Sequence, residues 1–239
     1  MLQLGLIPPH WTAPGCLAGL GVAALAGVTV AIGLTGFVRA NRWLVGVVSA
    51  ALVFQAVHFA EHAVQAGYWL IHRQAAPYLT PWAASTRTGL AYWCRVWGGE
   101  GAPLAQGNEL LHLVGNTIFL GGLLGMLALA RRVGDPSAWR SARQVAVLQG
   151  LHVVEHVALT TSLFLTGAAR GLSTLFGTIP PTSAGAVAYR ISFHFAINLL
   201  ATILAVRAAR RLRAAGAFDI REARKVRDPT TGRLPLRAA

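Results

Sequence analysis

Two stretches of this chain repeat one set of polar residues within apolar sequence. The first is Val53-Phe54-Gln55-Ala56-Val57-His58-Phe59-Ala60-Glu61-His62. The second is Val147-Leu148-Gln149-Gly150-Leu151-His152-Val153-Val154-Glu155-His156. Five of the ten positions are identical, and these include every polar one. Each stretch is followed by an apolar run with His-x-x-x-Asn: His112 and Asn116 after the first, His194 and Asn198 after the second. Imidazole and carboxylate groups bind iron, copper, manganese and zinc. On a helix, Gln55, His58, Glu61 and His62 share a face about 120° wide, so His58 and His62 can reach one ion. Glu109 shares a face with His112, and that run also reads Glu-x-x-His. Ile191 stands in the corresponding place of the second copy, so the two halves are related but not equivalent.

The elements that must position these residues are membrane helices. The chain has 239 residues, is 54% hydrophobic and only 12% charged, about half the charged fraction of a soluble domain. Five runs, 16–38, 43–71, 108–130, 144–168 and 188–210, have the roughly 20 mainly apolar residues that a crossing needs. The pattern predicts an all-α integral membrane protein of about five transmembrane helices. The last four form a four-helix bundle from a tandem two-helix repeat, related by an axis along the membrane normal. The expected divisions are an N-terminal segment with the first transmembrane helix (1–42), repeat one with a long outer loop (43–132), repeat two (141–213) and a basic cytoplasmic tail (214–239).

The net charge of +13 is distributed as a membrane protein distributes it. Arg39 and Arg42, then Arg131, Arg132, Arg140 and Arg143, then Arg207, Arg210, Arg211 and Arg213 each sit at the end of an apolar run. The positive-inside rule puts these groups in the cytoplasm. The expected location is the plasma membrane, multi-pass, with the N-terminus outside and the C-terminus inside. Connections 72–107 and 169–187 then lie outside. Nucleic acid is not an expected partner. The stretch with Pro8, Pro9 and Pro14 lacks a basic n-region and does not read as a signal peptide. Cys16 and Cys94 fall on the outer side, where a disulfide or two unpaired thiols are both open. Tyr78, Trp82, Tyr92, Trp93 and Trp97 read as an interfacial belt or as a lid over a site. The tail, with Pro229 and Pro235, reads as a poorly ordered end.

Depth makes the repeated residues a candidate site. A charged group near the bilayer centre costs about 2.5–3.5 kcal/mol even on insertion scales, yet Glu61 and Glu155, two of only eight acidic residues, lie mid-run beside histidines. With no Lys or Arg expected at matching depth, a metal supplies the missing positive charge. Interhelical hydrogen-bond glue, about 0.6 kcal/mol per bond, is the alternative. The expected ligands are His58, Glu61, His62, Glu109, His112, His152, Glu155, His156 and His194. One ion falls to His58, His62 and His112, and the other to His152, His156 and His194. Glu61 and Glu155 bridge the ions or accept from the histidines, and they are the candidate catalytic groups. Gln55, Gln149, Asn116 and Asn198 orient the ligands.

The absence of cysteine from the four runs that carry the repeat excludes thiolate-bound clusters there. The set is similar in architecture to ferritin-like di-iron bundles. It also resembles, in type, the His-rich boxes of integral-membrane desaturases and hydroxylases, with Glu61 and Glu155 where those enzymes have His. The expectation that leads is a membrane di-metal oxidoreductase, an oxidase or hydroxylase. It would hold two metal ions, iron or copper ahead of zinc, and act on a lipophilic small molecule with an electron donor or other membrane subunits as partners. The alternatives are a zinc hydrolase, since His-x-x-Glu-His is also the inverzincin motif, a b-haem electron-transfer subunit, and a metal sensor or transporter.

Overall fold

The computed structural model describes residues 41–73, 78–96, 104–180 and 182–218. The expected first span, Arg39, Cys16 and the tail beyond 218 lie outside the described residues, as do Trp97 and the side chains of Trp93 and Cys94. The described elements are α1 (Asn41–Ile71), α2 (Pro81–Val96), α3 (Leu104–Val133), α4 (Pro136–Thr166), a short 3-10 segment (Leu172–Gly177) and α5 (Ala184–Ala214). Every element among the described residues is helical. The four long helices have 30 or 31 residues. At 1.5 Å per residue they reach about 46 Å, longer than a hydrocarbon core of about 30 Å.

Three of them, α1, α3 and α5, are long and apolar enough to cross a membrane. Helix α4 is as long, but it carries Arg140 and Arg143 at one end and Gln149, His152, Glu155 and His156 along its middle. The residues that make α4 interesting are those that lower its hydropathy.

Local signals set the ends. Gly134, with φ of +73°, turns the chain between α3 and α4. Asp135 caps α4 by accepting from the backbone N–H of Ser137 and Ala138, and Pro136 follows at the first helical position. The Ser137 hydroxyl, helped by these N–H groups, holds the Asp135 carboxyl below its ordinary value. Gly167, left-handed at φ 73°, closes α4, and the Ser183 side chain caps α5.

Helix α2 was not foreseen. Connection 72–107 was expected to be a loop, yet Pro81–Val96 is helical. Pro at the first position suits a helix start, and α2 gains a buried side through Ala83 and Ala91. It packs on α3, where a side chain at Gly107 would strike the Arg87 carbonyl 2.2 Å away.

Helix α3 packs on α1 and α4, and α5 packs on α4 and α1. The interior between them has two halves. Toward the Arg-bearing ends it is apolar and rich in small residues, with Leu44, Val48, Phe119, Leu123, Met126, Ala142, Ala205 and Leu212 in one cluster. Small residues let helix backbones approach: a Cβ on Gly122 would lie 2.0 Å from that of Ala51. Toward the other ends many of the buried residues are polar, among them Gln55, His58, His62, Glu109, Asn116, Gln149, His152, His156, His194 and Asn198. The outer faces are the reverse. Leu151 and Val154 are each 64% exposed, while His152 and His156 between and beside them are 0% exposed. Polar inside and apolar outside is the pattern of a helix group in lipid.

Candidate metal centre

The repeat brings one His pair from α1, one from α4, and single histidines from α3 and α5 into one cluster. In the first repeat the ring centroids are 4.7 Å apart for His58–His62, 5.5 Å for His62–His112 and 6.0 Å for His58–His112. The second repeat gives 4.9 Å for His152–His156, 5.2 Å for His156–His194 and 5.9 Å for His152–His194. The triads also touch symmetrically: His62–His194 is 5.8 Å, its counterpart His156–His112 is 5.3 Å, and His112–His194 is 6.0 Å. The sequence duplication is thus a two-fold relation in space.

The amides follow the same relation. Gln149 Nε2 donates to Asn116 Oδ1 at 2.8 Å, and Gln55 Nε2 donates to Asn198 Oδ1 at 3.3 Å. Each Asn in turn donates to a histidine carbonyl one turn earlier, Asn116 to His112 and Asn198 to His194. Every one of these four residues therefore joins one repeat to the other or braces a ligand helix. Gln55 also donates to Thr202 at 3.2 Å, a partner without a counterpart in the motif.

Ring orientation favours metal binding. His112 Nδ1 lies 2.8 Å from the Asn108 carbonyl and His194 Nδ1 lies 2.9 Å from the Arg190 carbonyl. A carbonyl can only accept, so each Nδ1 carries the proton and leaves Nε2 as a free lone pair. His58 Nε2, His62 Nε2 and His194 Nε2 are buried with no hydrogen-bond partner. His152 Nε2 and His156 Nε2 are 3.2 Å apart, and two imidazoles bound tetrahedrally to one ion at about 2.05 Å stand about 3.3 Å apart. His152, His156 and His194, all buried, place one ligand atom each within 4.8 Å of one another. This triad can hold a metal ion.

The carboxylates divide. Glu109, 3% exposed, places Oε2 3.8 Å from His156 Nδ1, while Oε1 accepts from the Arg190 guanidinium. Glu109 Oε2 has no hydrogen-bond partner. Glu61 and Glu155 turn instead to the connections that follow their helices. Glu61 accepts from Thr80 N at 3.1 Å, from the Thr80 hydroxyl at 2.5 Å and from Gln65 at 3.1 Å. Glu155 accepts from Leu172 N and Ser173 N, both at 2.8 Å. Each Glu therefore sits at the start of a helical segment, α2 or the 3-10 segment, where free N–H groups attract an anion. Gly171 lets the carboxylate come close, because a Cβ there would stand 2.6 Å from Glu155 Oε1 and push that side chain aside.

Arg190 corrects the expectation that no cation lies at matching depth. It is on the His194 face one turn earlier, and that spacing was the available signal. Thr80, Leu172 and Ser173 were missed as partners because nothing in a loop sequence marks backbone N–H groups as donors to a distant carboxylate.

Fold and site together define a class: an all-helical protein with helices able to cross a membrane and a buried histidine cluster able to hold metal. Residues 13–228 match a family described as a family of unknown function (DUF6008), and the chain belongs to it. No curated protein and no solved structure matches the chain.

Proposed function

We propose that this chain is a membrane-embedded metalloprotein, a four-helix bundle of α1, α3, α4 and α5 with a further N-terminal span, whose outer half holds two metal ions. His58, His62 and His112 take one ion, and His152, His156 and His194 take the other. The observation that carries this reading is the six-ring cluster with buried, unpartnered ring nitrogens. Neutral imidazoles in lipid-depth protein with no acceptor or donor opposite them are costly, and a cation satisfies them together. Six rings in mutual contact suit bare ions better than haem, which needs a slot for its macrocycle between two axial ligands.

Paired ions on His-rich sites suit redox chemistry at iron or copper, so the activity proposed is oxidation or hydroxylation of a lipophilic small molecule by dioxygen, with two electrons from a membrane partner and two protons taking the second oxygen atom to water in the hydroxylation. Zinc hydrolysis draws less support. An inverzincin places its Glu at the metal as base, whereas Glu61 and Glu155 are engaged by Thr80 and by residues 172–173. In this reading those two carboxylates hold the outer connections over the centre.

Elemental analysis with an optical spectrum, on full-length protein purified without chelator, tests the proposal. Two equivalents of iron or copper without a Soret band are expected. His62→Ala and His156→Ala should each cut bound metal steeply, while His72→Ala, at an exposed position, should keep it. The proposal is falsified if the wild-type protein holds no stoichiometric metal.

A further inference from the structure

One of the places where the two-fold relation is broken touches a ring. The contact between His112 and His156 corresponds to that between His194 and His62. Beside His156 stands Glu109. Beside His62, the corresponding residue is Ile191, which is apolar and buried. Beneath Glu109 stands Arg190, whose own counterpart is Asn108.

We propose that the two metal positions are unequal: the His152–His156–His194 position, backed by Glu109 and Arg190, binds its ion first and more tightly. This rests on the two-ion reading above. Three observations carry it. His156 Nε2 already faces His152 Nε2 at ligand spacing, so its Nδ1 is left for an outer partner. Nδ1 is buried, lacks a hydrogen bond, and has the unpartnered Glu109 Oε2 3.8 Å away. Arg190 holds the other oxygen and so fixes where Oε2 points. A carboxylate that accepts the far N–H of a ligating imidazole orients the ring and makes it a stronger donor, and losing such a partner typically costs about 10–100-fold in affinity. The backbone carbonyls that take the Nδ1–H of His112 and His194 are the same in both halves, so the inequality rests on the side chains of Glu109 and Arg190. Glu109 and Arg190 are positioning residues for the second-repeat ion, and His62 has no equivalent.

Cobalt(II) titration of chelator-stripped full-length protein in detergent tests this, because imidazole-bound cobalt reports stoichiometry through its visible bands. Wild type should load in two steps, with dissociation constants about 10–100-fold apart. Glu109→Gln should weaken the first step by that factor and leave the second unchanged, so that the steps merge. Arg190→Gln should shift the same step, which separates aiming of the carboxylate from general damage. Ile191→Glu combined with Asn108→Arg transplants the pair and should tighten the second step. Equal affinities in wild type, or a Glu109→Gln loss shared by both steps, would overturn the inequality while leaving two ions in place. Failure of wild type to bind cobalt at all would overturn the two-ion reading itself.

Discussion

At the scale of single residues, identical letters in the motif do different work. His58 and His62 turn toward the other rings, while Glu61 between them in sequence turns to Thr80. The reason is angular: Glu61 is three residues from His58 and one from His62, so it lies at the edge of their face and can reach the connection that follows its helix. Glu155 repeats this with Leu172 and Ser173. Hydrogen bonds to a charged acceptor contribute about 1.5–3 kcal/mol each. Glu155→Ala should therefore speed hydrogen exchange at the Leu172 and Ser173 amides by about tenfold or more, measured by exchange mass spectrometry. Metal content should hold in the same variant. Unchanged exchange would sink the clamp role, and a parallel loss of metal would return Glu155 to the ligands.

At the scale of elements, close helix approach decides whether the rings can meet. The α1–α3 contact is set where Gly122 faces Ala51, in the apolar half below the histidines. A methyl added at Gly122 has no space, and overpacking of this kind costs about 1–3 kcal/mol. Gly122→Ala should lower the thermal midpoint in detergent, and Ala51→Gly in the same chain should restore it. A midpoint that Gly122→Ala leaves in place would mean that the helices part freely there. The 3-10 segment is the other element under tension. Leu175 and Phe176 have φ of 49° and 54°, a left-handed setting that L-residues with side chains adopt at a cost. The Glu155 bonds at residues 172 and 173 hold the segment just before this strained pair.

At the scale of the whole molecule, charge and hydropathy set orientation. Arg131, Arg132, Arg140 and Arg143 flank the tight α3–α4 turn, and Arg207, Arg210, Arg211 and Arg213 end α5. Both groups belong to the apolar half of the interior, so the histidine cluster lies toward the opposite side. By the positive-inside rule the Arg side is the one expected in the cytoplasm. In a background with Cys16→Ser and Cys94→Ser, Pro136→Cys should react with an impermeant thiol reagent only after permeabilisation, and Ser85→Cys should react in intact cells. The reverse labelling would invert the topology and put the centre on the cytoplasmic side.

Much of the centre was legible in the sequence. Apolar runs placed α1, α3 and α5 to within about four residues, because length and hydropathy are local properties, whereas α4 starts eight residues before its apolar run because its first two turns carry Arg140 and Arg143. The repeat pointed to the six histidines whose rings the structure brings near one another, because a buried polar residue is costly and was used twice. What only the tertiary structure decided is direction. Helical periodicity places Glu61, Glu109 and Glu155 alike near a His-bearing face, yet Glu109 meets a ring and the others meet N–H groups of the connections. Those N–H groups are carried by backbone, which has no letter in the sequence. Helix α2 was hidden for a related reason: its buried side exists only against α3, and Arg190 became a partner of Glu109 only when α5 was laid beside the start of α3.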